Sequence, residues 1–416
     1  MIKVIYLTWG ETPRSYGLFR SQIIDVVSKI QEEYKESVEI DVLSGLPIIH
    51  SGFIREKFAY LKELQTIREQ LAKWQISFKT IPIFSSQNFV YPSRFTFPLI
   101  FTGWSWGLSK ELSNKQPDIV HCRSMLAAYI ANRAREKYNF NYKIVYDARS
   151  LWPEALELRK PNPKNYSYFK VVEKKLVESV DAIVSVNPEM GRHYEKLGCK
   201  HSLVNYLAAH IEHDISEKQN NYIDGHLKVL YLGAIGESTR QDAILLFNIF
   251  GRIKELYQNA TLTVVTTSSH SKLKQLALQY YRKKMPIEYM AIKNRTELQR
   301  TLLKFDLAIN AYRKPLNKND NFFSQTGFAT KSSEYLSAGL PIITSKHPKA
   351  ICSLLNKYKI GLVFDEDKED GGLSRNAIDS LLNEKTKHLI VKIARDNFDY
   401  NVVAKRYVSL YSSLSE

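Results

Sequence analysis

The sequence predicts an α/β protein made of two domains, each a doubly wound parallel sheet. Short apolar, β-branched runs alternate with longer segments whose apolar residues recur at helical spacing, as in repeated parallel strand–helix units. This alternation lapses into polar residues over about 205–226 and then begins again. The lapse indicates a linker between two domains of similar size.

Five apolar runs in the first half predict strands that lie inside a sheet covered by helices. They are residues 4–8, 38–43, 118–121, 143–146 and 182–186. Between these runs, residues 19–34 and 168–180 have apolar side chains at helical spacing. The chain start fits a first strand better than a signal peptide, because Gly10 and Glu11 interrupt its apolar run.

Six further runs predict the strands of a second sheet. They are residues 227–232, 261–266, 287–290, 307–309, 340–344 and 361–364. The predicted organisation is an N-terminal domain at 1–205, a linker at 206–226, a C-terminal domain at 227–395, and a terminal helix at 396–416 that packs back on the N-terminal domain. Ligands of such sheets bind at the carboxyl ends of the strands, so two facing sheets would border a ligand cleft.

The amino-acid composition excludes several classes of protein. The 416 residues include 59 Lys and Arg against 43 Asp and Glu, a formal charge of +16, and 44% are hydrophobic, which excludes a disordered chain. The charge favours an anionic partner: nucleic acid, an anionic membrane surface or a phosphorylated substrate. Cys122, Cys199 and Cys352 have no paired spacing, which excludes a disulfide scaffold and a cysteine zinc site. The sequence contains no apolar stretch of about 18 or more uncharged residues, so no membrane-spanning helix is expected.

The most informative segment is TGFATKSSEYLSAGLPII at 326–343. It predicts a short helix that is capped by Thr330, ended by Gly339 and followed by a strand. Glu334 lies one turn after Lys331, and both would face the ligand side of the loop. A carboxylate suits a ribose diol, whereas a lysine and free backbone N–H groups suit phosphate. These residues therefore point to a sugar nucleotide.

The same segment resembles the nucleotide-binding helix of retaining GT-B glycosyltransferases of the family-four type (glycosyl transferases group 1). The resemblance implies two Rossmann-like domains that face each other across a cleft, with the acceptor on the N-terminal domain and the nucleotide sugar on the C-terminal domain. It implies that Glu334 binds the ribose hydroxyls, and that Thr330 and Lys331 bind the nucleotide, with Lys331 at the diphosphate. Many members have a further Glu eight residues earlier, where this chain has Thr326.

A second segment, residues 229–242, reads as a strand, a turn with Gly233 and Gly236, and a helix. Glycine lets backbone N–H groups approach phosphate, and the helix N-terminus adds positive potential. The family has its diphosphate loop here, often with an Arg and a Lys, of which only Arg240 is present. The resemblance implies that Gly236, Arg240 and Lys331 stabilise the leaving diphosphate without a metal. The alternative is an ordinary turn with a solvated Arg240.

Polar residues also follow two strands of the first domain. His121 ends one run, and Asp147, Arg149 and Glu154 follow the next. By the resemblance, Asp147 is a catalytic residue that contacts the donor sugar, and Arg149 and Glu154 shape the acceptor side. The alternatives are a capping role for Asp147 and a structural role for His121, of which the second is favoured.

The loop after the first strand contains Gly10 and Gly17, which let the backbone approach a ligand. The family uses this loop near the acceptor and the donor phosphate, which suggests Tyr16 and Gly17 as site residues. The alternative is an ordinary solvent loop. The acidic run at 365–370 is interpreted as a solvated loop, so no metal is expected and no cofactor beyond the nucleotide-diphosphate sugar, which is a co-substrate.

Aromatic residues crowd the segment 89–108, and Pro92 and Pro98 argue against a bilayer crossing. Aromatic rings and cations suit a membrane interface, where the cations meet anionic lipid. The nearby cations are Lys57, Lys62 and Lys73. The alternative is a helix packed in the core of the first domain.

The predicted function is a retaining hexosyltransferase that moves a sugar from a UDP- or GDP-linked donor to an acceptor hydroxyl. The setting suggested by the resemblance is bacterial cell-surface polysaccharide or lipid-linked glycan synthesis, in the cytoplasm or on the inner face of the cell membrane. The alternatives are a sugar-nucleotide epimerase and an inactive scaffold, the latter because Thr326 and the missing cation weaken the site. A nucleic-acid binder is less favoured, because no helix concentrates the basic residues.

Overall fold

The computed structural model describes residues 1–14, 17–48, 57–83, 92–97, 105–211, 226–236, 239–292 and 294–416. Tyr16, most of the predicted linker and much of the aromatic segment lie outside these ranges. The chain forms two compact units. The N-terminal unit is Met1–Ala208 with Tyr400–Glu416, and the C-terminal unit is Ala209–Asp399.

Within the described residues, the N-terminal unit holds a seven-stranded parallel sheet. Its strands are β1 (Ile2–Trp9), β2 (Val38–Pro47), β3 (Phe78–Ile83), β4 (Ile119–Arg123), β5 (Lys143–Ala148), β6 (Ala182–Ser185) and β7 (Ser202–Val204). The strand order is β3-β2-β1-β4-β5-β6-β7, so the direction of winding reverses between β1 and β4. All five predicted runs are strands of this sheet.

The two strands that the sequence does not predict, β3 and β7, are the edges of the sheet. In β3, Phe78 and Ile81 are buried, whereas Lys79 and Pro82 are exposed. β7 is only three residues long. Edge strands are buried less than central strands, so neither has the continuous apolar run that reveals a central strand.

Helices cover the sheet of the N-terminal unit. They are α1 (Gly17–Phe19), α2 (Asp25–Tyr34), α3 (Lys57–Ala72), α4 (Ser105–Lys115), α5 (Ser124–Tyr138), α6 (Trp152–Arg159), α7 (Pro163–Ser179), α8 (Pro188–Lys196) and the terminal helix α17 (Tyr400–Ser415). A π-helical turn, Arg20–Ile24, joins α1 to α2. Ile23, Val27 and Ile30 are buried as their spacing predicts, in a core to which α17 contributes Tyr407.

Within the described residues, the C-terminal unit holds a six-stranded parallel sheet, and all six predicted runs are its strands. They are β8 (Lys228–Leu232), β9 (Thr261–Val265), β10 (Ile287–Met290), β11 (Leu307–Asn310), β12 (Ile342–Ser345) and β13 (Gly361–Phe364). The order is β10-β9-β8-β11-β12-β13, with the reversal between β8 and β11. Ligands of doubly wound sheets bind beside such a reversal, at the carboxyl ends of the strands.

Helices also pack on the C-terminal sheet. They are α9 (Ala243–Leu256), α10 (His270–Tyr281), α11 (Arg295–Leu302), α12 (Lys318–Gln325), α13 (Thr330–Ser337), α14 (Lys349–Tyr358), α15 (Arg375–Asp379) and α16 (Glu384–Phe398). The interior is apolar, and α9 alone buries Leu246, Phe247 and Phe250 against the strands. In the described part of the chain, none of the helices combines the length and the apolar character that a bilayer crossing requires.

Candidate functional site

Helix α13 is anchored to the carboxyl edge of the C-terminal sheet. The Tyr335 hydroxyl accepts a hydrogen bond of 2.6 Å from the N–H of Leu232, the last residue of β8. Gly339 follows the helix with φ +70°, the left-handed conformation that the sequence predicts there. Because β8 borders the reversal of strand order, this anchor places α13 where doubly wound sheets bind ligands.

The first turn of α13 has no side-chain cap. Thr330 is already the first helical residue, and the capping position belongs to Ala329, which makes no side-chain capping bond. The prediction that Thr330 caps the helix is therefore wrong. The first N–H groups of a helix have no intrahelical partner, so an end without a side-chain cap favours an anion.

Lys331 is a buried cation in the first turn of α13, with 8% of its surface exposed. Its Nζ lies 4.0 Å from the centre of the Tyr231 ring and has no hydrogen-bond partner among the described residues. Burial lowers the pKa of Lys331 well below its usual value, because the ammonium loses its hydration. An anionic ligand at this point would supply the missing counter-charge.

Glu334 lies one helical turn after Lys331 and is partly buried. Burial raises the pKa of its carboxyl group to about 7, while the positive charge of Arg295 acts in the opposite direction. Near neutral pH the group is therefore close to its midpoint. In either protonation state it has oxygen atoms that can bond to a diol.

The glycine turn after β8 offers space rather than donors. Gly233 has φ +113° and Gly236 has φ +147°, both in the region that favours glycine. The N–H of Gly233 already donates to the Val265 carbonyl at 2.8 Å, and that of Gly236 to the Gln241 carbonyl at 3.0 Å. The predicted use of the Gly236 N–H for phosphate does not fit these bonds. A Cβ at Gly236 would have no neighbour within 4 Å, so the backbone there is open to approach.

Arg240 is buried and paired, contrary to the alternative of a solvated side chain. Its Nη2 lies 3.0 Å from Asp320 Oδ1, and its guanidinium lies 4.7 Å from the centre of the Phe323 ring. Burial lowers the pKa of Arg240, although Asp320 acts in the opposite direction. Arg313 binds the same carboxylate. Arg240 therefore holds α12 in place and is not free to bind a diphosphate in this structure.

A buried polar layer next to α13 was not predicted. Asn310 Nδ2 donates to Ser332 Oγ at 2.9 Å, and Asn310 is in register with Thr344 on the next strand. Asn310 Oδ1, Ser333 Oγ and Thr344 Oγ1 are buried without a partner in the described part of the chain. The sequence feature that could have predicted this layer is the polar residue near the end of each apolar run, Asn310 in β11 and Thr344 in β12. This layer gives the carboxyl edge of the sheet a polar lining.

In the N-terminal unit, Asp147 is the centre of a buried network. Its Oδ2 lies 2.6 Å from Arg149 Nη2 and 3.3 Å from His121 Nε2, and it accepts bonds from Tyr6 at 3.3 Å and Tyr407 at 3.4 Å. Burial by itself raises the pKa of Asp147, but Arg149 and His121 outweigh burial and hold the pKa at about 2. The side chain is fully enclosed, so the predicted direct contact with a donor sugar is not available to it here.

His121 has the structural role that the sequence favours. Its ring stacks on Tyr6 at 4.5 Å between centres, and its Nδ1 lies 2.7 Å from the Tyr411 hydroxyl. Burial lowers the pKa of His121, although Asp147 acts in the opposite direction. Tyr407 and Tyr411 both come from α17, so the terminal helix completes the network beside β4 and β5.

Glu154 is also buried and does not face an acceptor in this structure. Its Oε1 accepts hydrogen bonds from Tyr166 at 3.1 Å and from Lys170 at 3.0 Å. Lys170 also pairs with Glu173. One cation is thus shared between two buried carboxylates, and this makes Glu154 part of the packing among α6 and α7.

The other two acceptor-side predictions that fall on described residues are Gly17 and Arg149. Gly17 begins α1 with φ +67°, and a Cβ there would have no neighbour within 4 Å. The Arg149 side chain is 12% exposed beside Asp147. Tyr16 lies outside the described residues.

Solved structures share the fold of this chain over nearly its whole length. HepE from Anabaena, solved with UDP, is 12% identical, with a TM-score of 0.63 over 99% of this chain and 100% of that one. Sucrose-phosphate synthase from Thermosynechococcus elongatus is 13% identical, with a TM-score of 0.66 over 100% and 99%. A protein described as a UDP-N-acetylglucosamine 2-epimerase from Listeria monocytogenes is 12% identical, with a TM-score of 0.59 over 99% and 96%.

The family comparison agrees with the fold. Residues 68–206 match the model of Glycosyltransferase Family 4. The match covers less than half of the chain, and the fold of the two units is the GT-B fold of the solved structures. The resemblance stated from residues 326–343 is thereby confirmed, although the family match itself lies in the other unit. No curated protein matches the chain.

The two units present different chemistry. The C-terminal unit presents Lys331 and Glu334 on α13, and these are the two residues on which the sequence argument depends most. The N-terminal unit presents Arg149 beside the Asp147 network. The sequence did not reveal Tyr231, Asp320 or the α17 tyrosines, because their roles depend on contacts between distant segments.

Proposed function

We propose that this protein transfers a sugar from a nucleotide-diphosphate sugar to an acceptor hydroxyl, with the C-terminal unit holding the donor. The observation that carries the proposal is Lys331, a buried cation with no described hydrogen-bond partner, in the first turn of a helix that has no side-chain cap. Both features favour a diphosphate. HepE, which has the same fold, binds UDP in its solved structure, and this supports a uridine nucleotide as the first donor to test.

In the proposed reaction, the bond between the anomeric carbon and the diphosphate breaks, and the acceptor oxygen bonds to that carbon. The hydroxyl proton passes to the departing diphosphate. Lys331 and the first N–H groups of α13 stabilise the negative charge that develops on the leaving group. Approach of the diphosphate raises the pKa of Lys331, because an opposite charge favours the protonated form. We propose a hexosyl group as the transferred sugar, and retention of its anomeric configuration.

Glu334 gives the proposed donor site a pH dependence. We expect UDP-glucose to bind more tightly as pH rises from about 6 to about 8, because the ionised carboxylate is the stronger acceptor for the ribose hydroxyls. With its pKa at about 7, Glu334 loses its proton in this range. UDP-glucose has no ionisation of its own there, so calorimetric titration isolates the protein group. Glu334→Gln should bind weakly at every pH, and an unchanged pH profile in this variant would show that another group titrates.

A second candidate is a sugar-nucleotide epimerase, since one protein of the same fold is described as such. Proton NMR of UDP-glucose and UDP-N-acetylglucosamine, incubated with the protein, separates the possibilities. A retaining transferase without acceptor slowly releases UDP and a sugar whose first-formed anomer matches the donor. An epimerase gives a new nucleotide sugar with the diphosphate bond intact. No change in any donor would favour an inactive scaffold.

We further propose that the protein acts at the cytoplasmic face of a membrane, in cell-surface or lipid-linked glycan synthesis. Exposed aromatic rings on the N-terminal unit support this proposal. Phe58 is 87% exposed, Phe95 74% and Trp106 73%. Arg94 lies 4.6 Å from the Phe95 ring centre and Lys110 lies 5.3 Å from the Trp106 ring centre. Aromatic rings beside cations suit an anionic lipid surface.

We expect the protein to sediment with phosphatidylserine vesicles, and less so at high salt. The triple variant Phe58→Ser, Phe95→Ser, Trp106→Ser should remain in the supernatant. The matched control is Leu316→Ser, since Leu316 is 77% exposed on the C-terminal unit and has no role in this proposal. Equal sedimentation of the triple variant and the wild type would contradict membrane binding through these rings.

A further inference from the structure

A row of polar side chains crosses the carboxyl edge of the N-terminal sheet. Ser44, Thr8, Arg123 and Asp147 are in register on β2, β1, β4 and β5, and each is buried. Thr8 donates to Ser44 Oγ at 2.9 Å. Residues paired in register on parallel strands share one face of the sheet. Four neighbouring strands therefore have polar groups on the same face near their carboxyl ends.

Arg123 occupies the position in this row where ligands of doubly wound sheets bind. It is the last residue of β4 and pairs in register with Thr8 of β1, on the two sides of the reversal in strand order. The carboxyl ends of the strands on either side of such a reversal border a ligand crevice. A guanidinium at this place selects for negative charge.

Two guanidinium nitrogens at the carboxyl edge of this sheet have no hydrogen-bond partner among the described residues. Arg123 is 7% exposed; its Nε lies 3.1 Å from both carboxylate oxygens of Glu11, and its Nη1 is buried without a partner in the described part of the chain. Arg149 Nε is likewise buried without a described partner. Both guanidiniums are donors only, so the group that would satisfy them is an acceptor, and an anion satisfies them best.

We propose that the acceptor carries a carboxylate or phosphate group, and that Arg123 binds this group with Arg149 beside it. The inference rests on the proposed function, because it names the class of its acceptor. Glu11, whose side chain is 33% exposed on the loop after β1, bonds to Arg123 in the way the acceptor's anion would. The anion therefore competes with Glu11 for the guanidinium.

The experiment titrates glucuronate, glucose 6-phosphate, glucose and inorganic phosphate into the protein by calorimetry, at constant ionic strength. We expect at least one acidic sugar to bind about 10-fold more tightly than glucose, as a charge-assisted bond allows. Arg123→Gln should abolish that preference, and Arg123→Lys should restore part of it. Glu11→Gln removes the competitor from a loop and should tighten binding of the acidic sugar.

A lysine with no role in either proposed site serves as the control. Lys349→Met, at an exposed position of the C-terminal unit, should leave the binding of acidic sugars unchanged. Equal binding of the acidic sugars and glucose, or retention of the preference in Arg123→Gln, would overturn the proposal. So would inorganic phosphate binding as tightly as glucose 6-phosphate, since the site would then recognise free phosphate and not a sugar acceptor.

Titration of UDP into the same preparations keeps the two proposals apart. UDP binding without any preference for acidic sugars would overturn the acceptor inference alone. Preference for acidic sugars without UDP binding would count against the proposed donor site, while the anion site at Arg123 would stand.

Discussion

Replacing Lys331 by Met is expected to weaken UDP binding by about 100-fold, as the loss of a charge-assisted bond predicts. The same change should raise the stability of the ligand-free protein by about 1–3 kcal/mol, because it removes a buried polar group that has no hydrogen-bond partner. In the free protein Lys331 Nζ contacts the Tyr231 ring but has no described hydrogen-bond partner, so burying its charge lowers stability until a ligand binds. Replacement of a lysine that only supports packing would instead lower the stability of the protein.

The sign of the pH dependence follows from the lowered pKa of Lys331. The unfolded chain binds a proton that the folded chain binds more weakly, so the free energy of unfolding of the wild type rises with pH up to about 10. The stability advantage of Lys331→Met should therefore shrink as pH rises. Chemical denaturation at several pH values measures this difference, and calorimetry measures the loss of UDP binding.

Lys349→Met is the matched control, because Lys349 is exposed in the same unit. It should change neither stability nor UDP affinity by a measurable amount. A destabilised Lys331→Met variant that still binds UDP like the wild type would mean that Lys331 supports packing and does not contact the ligand.

Replacing Asp147 by Asn is expected to cost about 3–5 kcal/mol of stability, the range for breaking a buried ion pair by removal of one partner. The amide keeps the shape of the side chain but cannot balance the charge of Arg149, which lies 2.6 Å away. Since four side chains converge on Asp147 Oδ2, the defect should also loosen the attachment of α17. Urea denaturation monitored by circular dichroism measures the loss.

Acid should destabilise the protein by protonating the same residue, Asp147. The pKa of Asp147 is about 2 in the folded protein and near 3.9 in an unfolded chain. The contribution of Asp147 to the free energy of unfolding is therefore complete above about pH 4 and is lost as pH falls through about 2. Tyr407→Phe, which removes one long hydrogen bond of 3.4 Å to the same oxygen, should cost only about 1 kcal/mol. Equal costs for Asp147→Asn and Tyr407→Phe would show that the ion pair does not stabilise the unit.

The sequence predicts most of the fold because central parallel strands are apolar on both faces. All six strands of the C-terminal unit and five of the N-terminal unit are visible as apolar runs, whereas the edge strands β3 and β7 are not. The spacing of Lys331 and Glu334 was also readable, since both lie on one short helix between a glycine loop and a strand.

The remaining parts of the site depend on contacts that local patterns do not contain. Asp147 meets Tyr407 across 260 residues, and His121 meets Tyr411 across 290. Similarly, the pairing of Arg240 with Asp320 joins segments 80 residues apart. The glycine turn near Arg240 suggests a phosphate ligand, but local sequence does not show that Arg240 also pairs with Asp320. The row that contains Arg123 emerges only once the strand register is known.

Binding of a nucleotide sugar by α13 of the C-terminal unit can be measured with a thermal-shift panel. The panel contains UDP, GDP and their glucose and mannose conjugates, each with the wild type and with Glu334→Ala. A ligand that binds only the folded state raises the melting temperature. We expect a rise with one nucleotide class that is reduced or lost in Glu334→Ala. No rise with any nucleotide, or an equal rise in the variant, would contradict it.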